Sequence, residues 1–247
     1  MQLDQPITVT RLAAPLAPRT PPRSSAKWRL WLLPLISLLC LSGLSGCSDL
    51  SRSSVDTIKL AIHKPKPIAP TAAEVAAKPY FQLQATSPQG TAVLILGNVD
   101  GARQAWYGSH QVILFIEHGR VVQTAGLAQN LAGFQLPAAD PFKHGLQLIT
   151  APVSYKFTAD WSPGYRFGVP VEATLTPAGA TQITILGKVH QVLRYDEQLS
   201  APLANYYATN HYWVDPSDGF VWQSEQSVAP GLSLKLMQLR PYRKAQP

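Results

Sequence analysis

Leu44-Ser45-Gly46-Cys47 is the stretch of this 247-residue chain whose residue types most directly specify a chemistry. A cysteine behind two small residues, at the end of an apolar run, has the form of a bacterial lipobox. There the thiol receives a diacylglyceryl group, and the signal is then cut immediately before it. Arg11, Arg19, Arg23, Lys27 and Arg29 precede an uncharged run over 30–44, the basic and apolar regions of a secretory signal. Cys47 is therefore the expected lipidated N-terminus of the mature protein. An uncleaved membrane anchor needs about 20 predominantly apolar residues. The run here is shorter and is interrupted by Pro34, Ser37 and Ser42.

Other reactive constellations are missing from the sequence. Six histidines occur, but none in His-Glu-x-x-His or His-x-His spacing, so no metal site and no cofactor are expected. Cys40 belongs to the signal and Cys47 to the lipid, which leaves no thiol for catalysis or for a disulfide. Gly-x-Ser-x-Gly does not occur, and the Ser24 to Lys27 match to Ser-x-x-Lys falls in the signal. Asp140, Asp160, Asp196, Glu197, Asp215 and Asp218 are the carboxylates from which a glycosidase pair would be drawn. Most stand beside Pro or Gly, where Asp favours turns, so no catalytic residue is assigned and the chain is read as a non-enzyme.

The remaining signal is aromatic: Trp106-Tyr107, Trp161, Tyr165, Tyr206-Tyr207, Tyr212-Trp213, Phe220 and Trp222. Adjacent residues of a strand point to opposite faces, so one ring of each pair must leave the core side. An outward ring can stack on a sugar face or sit in a protein interface. Trp106, Tyr107, Trp161 and Trp213 are the candidates for glycan or partner binding.

The elements that must position these rings are strands. The formal charge of +7 includes five basic residues and one acidic residue of the signal. Taking these from 21 and 14 leaves 16 basic and 13 acidic residues, a net of +3. No basic patch for nucleic acid is visible, and Arg240, Arg243 and Lys244 look like a solvated tail. Four segments are expected: signal peptide 1–46, a lipidated tether rich in Pro, Ser and Lys over 47–78, a β domain over 79–243, and a tail over 244–247. Within the tether, Thr71 with Glu74 three residues on predicts one short capped helix ended by Pro79.

From residue 79 the hydrophobic period is two. Strands are expected over 81–86, 91–96, 102–107, 111–117, 120–125, 171–176, 181–186, 189–195, 206–214, 220–227 and 232–239. His118-Gly119 reads as a two-residue hairpin turn, and the segments 177–180 and 215–219 read as further turns. The fold class is thus mainly β: a single curved antiparallel meander, half-barrel to barrel-like, with one short N-terminal helix.

Ala77-Lys78-Pro79-Tyr80, Gly126-Leu127 with Asn130-Leu131, Asp140-Pro141, Asp160-Trp161 with Gly164-Tyr165, and Tyr212-Trp213-Val214-Asp215 running into Gly219-Phe220-Val221-Trp222 occur in an order that resembles the YjbF/GfcB family. The resemblance covers nearly the whole mature chain. It implies a mainly antiparallel β lipoprotein linked to exopolysaccharide production and group 4 capsule assembly, with no known catalytic residues to carry over. The expected role is a non-catalytic binding or scaffolding component. A polysaccharide-modifying enzyme and a lipid-carrying barrel are the alternatives. Expected partners are the membrane, through the lipid, and a polysaccharide or proteins of the export apparatus. Ser48, rather than Asp, follows Cys47, which favours the periplasmic face of the outer membrane.

Overall fold

The structure, a computed structural model, describes residues 69–136, 140–164 and 166–243. Cys47, the signal, the tether up to residue 68, Tyr165 and the tail 244–247 lie outside the described residues. Among those described, no helix is long and apolar enough to cross a membrane.

The chain enters through α1 (Ala72–Ala76), which has the expected capping box. Glu74 N donates to Thr71 Oγ1 at 3.2 Å, and Thr71 N donates back to the Glu74 carboxylate at 2.7 Å. These bonds satisfy first-turn donors that so short a helix cannot pair internally. They also hold the Glu74 carboxyl below its ordinary value.

Twelve strands follow: β1 (Gln82–Ser87), β2 (Gly90–Asp100), β3 (Arg103–Tyr107), β4 (Ile113–Glu117), β5 (Arg120–Ala125), β6 (Asn130–Gln135), β7 (Val153–Ser162), β8 (Arg166–Ile185), β9 (Lys188–Ala201), β10 (Tyr206–Val214), β11 (Val221–Ala229) and β12 (Leu232–Arg240). They form one sheet in the order β5-β4-β3-β2-β1-β12-β11-β10-β9-β8-β7-β6. Every pair is antiparallel, and all but β1–β12 are consecutive in sequence. The first and last strands therefore meet in the middle of the sheet, and its two edges, β5 and β6, are consecutive in the chain.

Curling brings those edges together into a nearly closed barrel. No backbone ladder joins them; side chains do. Leu131 N donates to Thr124 Oγ1 at 2.9 Å, and Thr124 Oγ1 donates to Asn130 Oδ1 at 3.2 Å. Gln226 of β11 reaches the open edge of β5, accepting from Val121 N and donating to Gly119 O, both at 2.9 Å. Unpaired strand edges invite association with other chains, and these amide bonds occupy part of this one. The approach requires a glycine. Gly119 has φ +84°, and a Cβ there would lie 2.3 Å from a Val221 methyl.

The inner face carries the core, including Leu83, Leu94, Trp106, Leu114, Trp161, Val171, Leu175 and Tyr212. A second, smaller cluster lies on the outer face, where Val75 of α1 and Leu239 of β12 meet Ile183, Ile185 and Leu186. This cluster corrects one expectation. Residues 177–180 are not a turn; they are a bulge inside the 20-residue strand β8. Pro177 has no N–H to give the ladder, and Gly179, at φ +95°, takes up the extra residue. The true turn is Leu186-Gly187, with both φ positive. The hairpin beyond the bulge packs its apolar tip on β12, α1 and Trp222.

Candidate functional site

In an up-and-down sheet alternate turns fall at the same end. The β2–β3, β4–β5 and β10–β11 turns, the long β6–β7 connection and the residues after β12 therefore gather at one mouth of the barrel. The β6–β7 connection closes it. Phe142 and Leu146 are 2% and 1% exposed and act as a plug.

Beneath the plug lies a buried polar cluster. The Glu197 carboxylate accepts from Arg120 Nη2 at 3.1 Å, Asn210 Nδ2 at 2.7 Å, Tyr212 OH at 2.8 Å and Tyr155 OH. Arg120 also pairs with Asp140 at 3.1 Å, and its guanidinium lies 3.7 Å from the Phe142 ring centre. Burial acts against the Arg120 charge. Glu197 and its neighbours outweigh that and hold the guanidinium above its ordinary value. Burial, reinforced by Glu197, raises the Tyr155 and Tyr212 hydroxyls, so both remain donors. Tyr206 is pushed up to about 12, chiefly by burial. Glu197 and Arg120 are 1% and 4% exposed. The adjoining cavity of about 30 Å³ has room for a water or two and not for an acyl chain. The cluster is a closed, mutually satisfied network.

The outer side of the plug is open. Lys143, His144 and Gly145 form one wall of a cleft of about 490 Å³, with His118 and Gly119 of the β4–β5 turn on another. Gln104, Gln238, Phe220, Tyr242 and Arg243 also line it. Two of its walls are pinned. Asp215 accepts from Ser217 Oγ at 2.6 Å, Arg243 Nη2 at 3.0 Å and Trp222 Nε1 at 3.1 Å. Burial would raise the Asp215 carboxyl, but these bonds hold it well below the usual range. Arg243 also pairs with Asp218 at 2.9 Å and lies 4.4 and 4.6 Å from the Phe220 and Trp222 ring centres. Arg243 is thus docked rather than part of a solvated tail. Tyr242 is held edge-on by Phe81 at 5.2 Å.

Several groups of the cleft, among them Lys143, His118 and His144, have no side-chain hydrogen bond or ion pair among the described residues. The buried side-chain oxygen of Gln238, a residue 9% exposed, accepts no hydrogen bond. Lys143 is exposed and has no ion pair. No group of three or more His, Cys, Asp or Glu among the described residues is arranged to hold a metal.

The aromatic candidates do not assemble here. Trp106 is 0% and Trp161 3% exposed, so both are core residues and are withdrawn as glycan contacts. Trp161 packs 4.9 Å from Tyr206 and donates to Val228 O. Tyr107 and Tyr207, the outward neighbours of Trp106 and Tyr206, are 44% and 64% exposed. Tyr107 lies over Gly97, where a Cβ would be 2.6 Å from the ring. Trp213 is half-buried beside His211 and Arg194 on the outer face of β10. Four strands separate β3 from β10, so Tyr107 and Trp213 form no common surface.

The family model for "Group 4 capsule polysaccharide lipoprotein gfcB, YjbF" matches residues 55–239. The chain belongs to this family. Two relatives from Escherichia coli K12 carry family names. An uncharacterized lipoprotein GfcB is 24% identical over 185 residues, covering 73% of this chain and 85% of the relative. An uncharacterized lipoprotein YjbF is 28% identical over 151 residues, covering 61% and 68%. The crystal structure of the hypothetical E. coli lipoprotein YmcC shares the fold at TM-score 0.64 and 21% identity, over 77% of this chain and 97% of that one. The family is one of lipoproteins associated with capsule polysaccharide.

Proposed function

We propose that the chain is a lipid-anchored protein of the outer membrane, facing the periplasm, that binds or scaffolds during assembly or export of a capsule or exopolysaccharide and does not catalyse. One observation carries this reading. The acid, base and tyrosines of the Glu197 cluster are spent on one another inside the barrel, whereas the mouth offers the Phe220 and Tyr242 rings, Lys143 without an ion pair, and His118 and His144 with no carboxylate partner among the described residues. Those are the means of holding a polar ligand rather than of transforming one.

The test uses the full-length lipoprotein in detergent and the polymer secreted by the same cells. Retention without shortening or deacetylation supports the proposal; turnover supports the enzyme alternative. Anchoring is tested separately. Each buried CH₂ contributes about 0.8 kcal/mol, so several acyl chains hold the protein firmly and Cys47→Ser releases it. Ser48→Asp is expected to shift the protein to the inner membrane. A Cys47→Ser chain that still sediments with membranes would refute the lipid anchor.

A further inference from the structure

We infer that the end of the barrel opposite the plug is a membrane-contact surface, which settles on the headgroup region of the phospholipid bilayer that holds the lipid anchor. The inference rests on the lipid-anchor reading above and gives the anchored domain an orientation. The connections at this end, 88–89, 108–112, 126–129, 163–165, 202–205 and 230–231, contain no Asp, Glu, Lys or Arg. The plugged mouth is built differently: Asp140, Lys143, Asp215 and Asp218 stand in its connections, and Arg243 follows β12. An ionised side chain is costly to move from water into a bilayer, so the two ends are not equivalent toward a membrane. The uncharged end also projects apolar groups. Leu203 is 90% exposed, Tyr207 64% and Phe167 63%, and tyrosine is favoured at the boundary between headgroups and acyl chains. Arg166, at the start of β8, donates to Ala204 O at 3.2 Å, which keeps Phe167 beside the turn that carries Leu203. Its cationic head can stay among lipid phosphates while its stem lies along the apolar groups. Asp160, near the end of β7, is turned to Gly168 N at 2.6 Å. The course of the chain argues for the bilayer as the occupant. Ala69 and Pro70, the first described residues, line a groove with Ser109 of the β3–β4 turn, so the polypeptide that leads back to Cys47 leaves from this same end. Contact here directs the plugged mouth and its cleft away from the membrane, into the aqueous space where a polymer is met.

The experiment places the lipoprotein, processed at Cys47, in vesicles of phosphatidylethanolamine and phosphatidylglycerol and follows a fluorescent thiol label at Leu203→Cys or, at the other end, at His144→Cys. Cys47 is blocked by its lipid and Cys40 leaves with the signal, so the introduced cysteine is the one free thiol. Both positions are exposed, so labelling leaves the core intact. Flotation with the vesicles reports the anchor; quenching by phospholipids spin-labelled high on the acyl chain reports the contact. The label at 203 is expected to shift to the blue and to be quenched at least about fivefold more than the label at 144. Phe167→Glu with Tyr207→Glu, both at exposed positions, should cut the quenching at 203 at least about twofold and leave flotation unchanged. Equal quenching of the two labels, stronger quenching at 144, or quenching at 203 that survives the paired substitution would overturn the inference, while flotation of the same sample leaves the anchor standing. A blue shift at 203 without quenching would assign this end to a protein contact and overturn it as well. Protein that does not float refutes the anchor, and the inference falls with it.

Discussion

Arg120 and Arg243 are built alike and placed differently. Each bridges two carboxylates, Asp140 and Glu197 for the first and Asp215 and Asp218 for the second. Each lies against aromatic rings, Phe142 in one case and Phe220 with Trp222 in the other. The Arg120 side chain is 5% exposed and the Arg243 side chain 37%. Depth decides what the same chemistry does. Inside, every charge must be matched by a partner, so the cluster fixes how β5, β7, β9, β10 and the plug fit together. Outside, water screens the pair, and the arginine serves to shape a cleft wall whose other groups stay free.

The comparison breaks first at Arg120. Arg120→Met strands the Glu197 carboxylate in the core, and a cost of about 3–5 kcal/mol is expected in denaturant unfolding. Adding Glu197→Gln to that variant should recover part of the loss, because the buried charge is then gone. A loss below about 1 kcal/mol for Arg120→Met would show that water reaches the cluster. Next comes Gly219, at φ +76° in the turn that carries the Arg243 partners, where a Cβ would lie 2.0 Å from Gln147 Oε1. Gly219→Val is expected to cost about 1–3 kcal/mol, read from the shift in unfolding midpoint.

Arg243→Ala is the smaller counterpart to Arg120→Met. Removing a screened pair and its ring contact should cost about 1 kcal/mol or less, and the difference from wild type should shrink in high salt. A salt-independent cost of the size expected for Arg120 would erase the distinction. The smallest effect is in the pH profile. Because the folded state lowers the Asp215 pKa, its contribution is fully present above the unfolded value of about 3.9 and fades as pH falls toward the depressed folded value. Arg243→Ala should therefore flatten the loss of stability below about pH 4. An unchanged acid limb would exclude the Arg243–Asp215 pair as its source.

Much of the fold was legible because alternation and turn residues act locally. The β5 and β10 limits are as read, and His118 and Gly119 both have positive φ, as a two-residue hairpin demands. The capping box of α1 was equally plain. In β7, which is not among the expected strands, Tyr155, Phe157, Ala159 and Trp161 alternate inward with the period of two that marks a strand. Pro177 misled because a proline and a glycine two residues apart mark a bulge as well as a turn; packing of the arm on β12 decides between them. The site was less legible. Glu197 shares its inward face with Tyr195 and Leu199, which marks it as buried, whereas Asp196 points outward to Arg194 and His211. The cleft depends on turns brought together only by closing the sheet, so no spacing in the chain announces that His118, Lys143, Gln238 and Tyr242 are neighbours.

The decisive measurement is retention of the cell's own polymer by full-length protein carrying Tyr242→Ala with His144→Ala, set beside protein carrying Tyr107→Ala with Trp213→Ala. If the open mouth is the binding surface, the first pair should weaken retention by about 0.5–1.5 kcal/mol per aromatic lost, with an unchanged unfolding midpoint, and the second should retain the polymer as wild type does. Full retention by the cleft variant, or loss confined to the Tyr107 and Trp213 variant, would contradict the assignment of binding to the cleft.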